Sequence, residues 1–421
     1  MTLKTLINFL CGKEEAIKQV AHCPQAIWVG FLFVLSAGFA REYDQEDLLH
    51  EPWYLFIPLV VSVVASVLLY LGIRIVFWLP SNDVHNSPLT YSRFLGLFWM
   101  TAPLAWLYAI PVERFMEADD AIKINLLLLA IVSVWRVFLI SCVIAVLWRC
   151  SFFKTFMLVM LFSEGLICAI LFLTPLPVLN NMGGIHLTEG EEIITSTVVL
   201  VTLFSVISFP IWLIGTVYSS FRYNRDRIQG KVESLILSPP IQISKSVWAL
   251  SCSCVSIWFI ILPLTQPEQI KRTQVESLFH KGEIDQAVTE MSKYSQSDFP
   301  PHWDPPPHPG YGDNSPRLSR ILSSILKTKA APWVLVAHLQ KMKWYLSQRD
   351  YEIKTRRLFD SVDEDYLEEL VNYIESAPQY RTERAFLFKS QIEMLNNTNA
   401  HSDHSSRKKA LITRIEKLLP Q

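Results

Sequence analysis

The sequence predicts an all-α protein: a membrane-spanning bundle of about seven helices over residues 26–264, followed by a small all-helical domain over 265–421. Three observations carry this. The hydrophobic share of the 421 residues is 51% and the mean hydropathy is +0.26, above what soluble domains usually show. That excess lies before residue 265, in windows close to the ~20 apolar residues a helix needs to cross roughly 30 Å of hydrocarbon. After residue 265 the apolar residues instead recur at helical spacing among charges.

The elements follow in order. Residues 1–25 contain two glutamates and no small-residue cleavage site, so the sequence predicts a retained cytoplasmic segment rather than a removed signal peptide. The apolar windows then fall at 26–40, 53–78, 94–112, 124–148, 155–179, 193–219 and 247–264. The first is the weakest, with an apolar core of only about 15 residues against a usual minimum near 17. Trp28, Trp53, Trp78, Trp148 and Trp248 mark window ends, where an amphipathic indole prefers the headgroup level. Pro58, Pro103, Pro175, Pro177 and Pro210 are expected to bend their helices.

Lysine and arginine sort by loop. Eleven fall in residues 1–25, 79–93, 149–154 and 220–246, against three in 41–52, 113–123 and 180–192. The positive-inside rule then places the N-terminus in the cytoplasm and, with seven spans, the C-terminal domain outside it. A first window that did not cross would reverse every later loop and violate the rule throughout. The formal net charge of −1 supplies no basic field, so nucleic acid is not expected as a partner. The seven cysteines match no zinc spacing and read as small hydrophobes.

Two charges stand inside the windows. A hairpin turning near Cys150 puts Arg136 and Glu164 about 14 residues up opposite arms, at nearly equal depth for a rise of about 1.5 Å per residue. They are predicted to pair, because an isolated intramembrane charge costs about 3 kcal/mol on insertion scales. Such a pair serves either as an ion or proton path or as a structural bridge between helices.

Catalytic motifs are largely missing from the sequence. "LLHEPWY" opens like a zinc-protease helix with His50 and Glu51, but Tyr54 stands where the second histidine belongs and Pro52 disrupts the helix. The same loop gathers Asp44, Glu46, Asp47, His50 and Glu51 on the predicted outer side. This cluster either offers hard oxygens to a divalent cation or is acidic only because topology excluded basic residues. No cofactor is expected, and a divalent metal is the one exception these residues raise.

The C-terminal region reads as short helices. "VESLFHKGEIDQAVTEMSKY" makes two amphipathic helices meeting at Gly282. Ser315 with Pro316 opens another, Pro332 a further one, and Ser361 with Glu364 forms a capping-box pattern before a helix ending at Pro378. A last short helix is expected at about 409–419, with solvated His401 and His404 ahead of it. Residues 297–316 form a proline-rich strap expected near polyproline II. Trp303 is suited to anchor it, while His302, Asp304 and His308 suggest either recognition of a partner or ligand, or a metal site that extended prolines would spread too widely.

The stretches "AREYDQEDLLHEPW" and "DFPPHWDPPP" resemble those of an uncharacterised group of multi-spanning bacterial membrane proteins. That resemblance implies a bacterial inner-membrane setting and no activity. The sequence expectation is thus a non-enzymatic protein, embedded in the lipid bilayer, that presents its C-terminal helical domain to a protein partner in envelope organisation or assembly. Its rivals are a solute or ion carrier using Arg136 and Glu164, and a metal-dependent hydrolase at the outer face.

Overall fold

The computed structural model describes residues 1–77, 90–173, 189–228, 241–307 and 318–338. Among these the chain is helical throughout, with no strand. The expected helices beyond residue 338, the start signal at Ser315–Pro316, His308, His401 and His404 lie outside the described residues. The chain divides into two compact units, Met1–Leu179 with Glu189–Gln269, and Asn180–Thr188 with Ile270–Gln421.

The first unit opens with two short amphipathic helices, α1 (Leu3–Leu10) and α2 (Glu14–Ala21). Gly12, at φ +73°, turns the chain between them, in the left-handed region that glycine enters without a Cβ clash. α3 (Ala26–Glu42) follows, bent 106° from α2. The further helices of the apolar region are α4 (Phe56–Val76), α5 (Tyr91–Trp99), α6 (Ala118–Trp148), α7 (Phe152–Leu173), α8 (Glu189–Ile228), α9 (Lys245–Ser256) and α10 (Trp258–His280).

Six segments among the described residues are long and apolar enough to cross a membrane: Pro52–Val76, Tyr91–Arg114, Ala118–Trp148, Phe152–Ala169, Glu192–Tyr223 and Lys245–His280. The bent pair α2–α3 is the seventh if it counts as one span. The chain is therefore an all-α polytopic bundle, with one crossing fewer than expected unless that pair crosses. The weak first window turns out to be central. At 17 residues, α3 is about 25 Å long at 1.5 Å per residue. It buries Val29, Gly30, Phe33, Val34, Ser36 and Phe39 and packs against α4, α5, α9 and the 3₁₀ segment Ala102–Ala109.

Small residues set the closest approach in this unit. A Cβ on Gly30 would lie 2.8 Å from Trp99 Cβ, and one on Gly96 3.1 Å from the Ile27 nitrogen, so α3 and α5 cross backbone against backbone, as small residues allow in membrane bundles. The third window is broken rather than merely kinked. α5 stops at Trp99 and the chain continues as 3₁₀ through Pro103, whose ring supplies no N–H for the α-helical bond.

The second unit takes α10 from Ile270 onward, α11 (Ile284–Ser292), α12 (Leu318–Thr328) and a helical stretch at 332–338. Gly282, at φ +77°, makes the turn expected before α11. Val275, Phe279, Ala287, Val288 and Met291 are buried, and α11 packs against α12. There Lys327 and Ser324 both bond Asp285, at 2.6 Å each.

Candidate functional site

Three places were singled out by the sequence: the acidic loop after α3, the intramembrane charges, and the strap. The loop is stitched to the polar turn of α10. Gln266, 1% exposed, accepts from the Leu48 amide at 2.7 Å and donates to the carbonyls of Tyr43 and Glu46 at 3.1 Å. Thr265 donates to the Tyr43 carbonyl at 3.0 Å, and Gln269 to that of Asp44. A helix C-terminus leaves carbonyls without intrahelical partners, and these side chains satisfy them. The Tyr43 ring lies 5.1 Å from Trp258, which also packs on Phe39 and Trp106.

Within this frame the loop's acidic residues disperse. Asp47, 2% exposed, accepts from the amides of Leu49 and His50 at 3.2 Å and meets the His50 ring at 2.8 Å. Glu46 is held through its carbonyl, and the Glu51 amide donates to the Asp47 carbonyl at 2.8 Å. Asp44 is pushed up to about 7, first by burial and then by the Glu113 carboxylate. Nearby Arg114 forks onto Glu268 at 2.8 and 3.3 Å. Among the described residues no group of three His, Cys, Asp or Glu side chains is placed to hold a metal ion. The acidic loop is a folded cap, held by the Asp47 carboxylate and by bonds to its backbone.

The predicted Arg136–Glu164 pair does not form. α6 and α7 do make the expected hairpin and pack together, but the two side chains turn to different neighbours. Arg136 lies over the Phe98 ring, 4.7 Å from its centroid. Glu164, 2% exposed, is bonded by Ser208 at 2.7 Å and Trp212 at 2.8 Å, both on α8. Rise along a helix predicts depth. Direction around the helix depends on which neighbour each face packs against, and α7 packs chiefly against α8.

Of the strap, residues 297–307 are among those described. Ser295 and Asp298 form a reciprocal capping box, and Lys271 meets Asp298 at 2.9 Å. The Ser295 bonds first, and then Lys271, hold the Asp298 carboxyl well below the usual carboxylate range. Phe299, 3% exposed, stacks on Trp303 at 4.5 Å and lies 5.4 Å from Trp333. The Trp303 indole donates to Glu276 at 2.9 Å, so the tryptophan anchors the segment as expected, on the helical unit itself. Pro305, Pro306 and Pro307 are buried. His338, fully buried, places one ring nitrogen 3.1 Å from the Pro306 carbonyl and the other 2.7 Å from that of Val334. His302, at φ 56°, and Asp304 are exposed.

Sequence reasoning missed Thr265, Gln266, Gln269, Ser208, Trp212 and His338. The first three carried a readable signal, since polar residues at positions i, i+1 and i+4 directly after an apolar run share one helix face. Comparison with known protein families, curated proteins and solved structures found no match to this chain.

Proposed function

We propose that this chain is a membrane-anchored scaffold: the helical bundle holds the second unit at a membrane, and the strap of that unit is recognised by a protein partner in envelope organisation or assembly. The observation that supports this is the packed display of residues 299–307. Stacked Phe299 and Trp303, the buried prolines and His338 hold the backbone from below, while His302 and Asp304 remain exposed. A segment already ordered loses little conformational entropy on binding, which favours recognition. The charge asymmetry of the loops supports a bacterial inner membrane orientation with a cytoplasmic N-terminus and an extracytoplasmic second unit.

Photo-crosslinking of the full chain in its native membrane tests this. A crosslinker at His302 or Asp304 should trap one discrete partner protein, and one at exposed Gln286 on α11 should not. The Trp303→Ala substitution, which removes the anchor of the strap, should abolish the product. Equal or absent crosslinking at all three positions would reject the reading. A cysteine at exposed Ser297, in a chain freed of its native cysteines, should react with an impermeant thiol reagent in intact cells; reaction only after lysis would reverse the orientation.

A further inference from the structure

Glu164 lies in the wall between two apolar helices. On α8, Ser205, Ser208, Thr216 and Ser219 are buried while Leu200, Ile207, Ile211 and Ile214 are exposed. The polar stripe therefore faces inward, and Ser208 and Trp212 on it reach the Glu164 carboxyl. Both bonds fall on Oε1, while Oε2 is buried with no hydrogen-bond partner. Among the described residues no ion pair or hydrogen bond with a basic side chain is seen at Glu164, and Arg136 on α6 lies over the Phe98 ring instead. An ionised carboxylate with one oxygen unsatisfied is among the costliest groups to bury in such surroundings.

Counting hydrogens resolves this. The Ser208 hydroxyl lies 2.7 Å from Glu164 Oε1 and also 2.7 Å from the Phe204 carbonyl oxygen. A hydroxyl has one hydrogen to donate, and a backbone carbonyl has none. The Phe204 carbonyl already accepts the helical bond from the Ser208 amide, so the hydroxyl hydrogen goes to Glu164 Oε1. The Trp212 indole can only donate, so it takes up a lone pair of Oε1 and offers nothing to a metal ion. A hydrogen on Oε2 would leave Oε1 a neutral carbonyl oxygen that accepts both bonds, with no anion buried.

We propose that Glu164 is an intramembrane proton-binding site, its hydrogen carried on Oε2 and its Oε1 held by donation from Ser208 and Trp212. Infrared spectroscopy of the full chain in nanodiscs at neutral pH tests it. The expected result is a carboxylic-acid carbonyl band, sensitive to exchange in heavy water, that is present in the wild type and missing in Glu164→Gln. Loss of a carboxylate band in Glu164→Gln with the acid band unchanged would overturn the proposal. Conversion of the acid band to carboxylate by sodium, but not by choline, would also overturn it, reassigning the site to a metal ion. Because a glutamine amide oxygen can accept from both Ser208 and Trp212, Glu164→Gln should keep the wild-type melting temperature and Glu164→Ala should lower it. If the glutamine variant does not fold, labelling of the wild type with an apolar carbodiimide serves instead. That reagent takes up the carboxyl proton on nitrogen, bonds the carboxyl oxygen through its central carbon, and rearranges to an N-acylurea with no leaving group. A mass adduct on Glu164 is expected, and an unmodified Glu164 would count against the bound proton.

Discussion

The two units invert each other's polarity. In the first, large apolar side chains point outward, among them Ile75 at 75%, Ile214 at 70% and Phe221 at 74% exposure, while Ser36, Ser66, Ser141, Thr155 and Glu164 are buried. In the second, Val275, Phe279, Met291 and Phe299 are buried, and none of its described large apolar side chains is exposed. The difference is one of solvent. Against lipid an outward leucine gains as much as an inward one, so helix association rests on close packing and hydrogen bonds. In water the second unit relies on removing apolar area.

Substitutions can break this comparison. The largest effect should come from Phe299→Ala, which opens the aromatic stack of the strap and should cost the second unit about 3–5 kcal/mol, seen as a lower unfolding midpoint. The matching truncation on the lipid face, Ile214→Ala, should leave the midpoint almost unchanged, because lipid refills the space. Ile214→Lys instead puts a charge into hydrocarbon and should cost about 3 kcal/mol on insertion scales, measured as reduced membrane integration. The opposite exchange in the second unit, exposed Lys281→Ile, should stay within about 0.5 kcal/mol. Gly30→Ala, which forces a Cβ to 2.8 Å from Trp99, should cost about 1–3 kcal/mol by overpacking.

The remaining effect is pH-dependent and concerns the loop after α3. The folded state holds the Asp44 proton up to about 7, above its ordinary 3.8, so between those values folded protein binds more protons than unfolded. Stability should therefore fall as pH rises from about 4 to about 7 and level off above. Thermal unfolding in detergent across that window checks the slope, and Asp44→Asn should flatten it. A slope that survives in Asp44→Asn assigns it to another group.

How far the site was legible follows from what each inference needed. The Gly282 turn and the helix at Pro332 came from local chemistry, and the structure has both. The hairpin between α6 and α7 was equally readable, yet the pairing of Arg136 with Glu164 was not. It required the rotation of each helix, which α8 and the Phe98 ring decide. The acidic loop read as one cluster because its residues are neighbours in sequence. Asp47 serves the local backbone and Gln266 supplies the rest from 218 residues away.

Sequence by itself determined which stretches are apolar enough to cross a membrane, where the helices begin and turn, and that the chain changes character after residue 265, because hydropathy, capping and glycine turns act within a few residues. Tertiary structure decided that the short α3 lies at the centre of the bundle, that the third span breaks into 3₁₀ geometry, that Gly30 and Gly96 carry the closest crossing, and that Glu164 turns to Ser208 and Trp212. Each of these depends on which faces meet across long separations, and that is set by the packing of all the helices together.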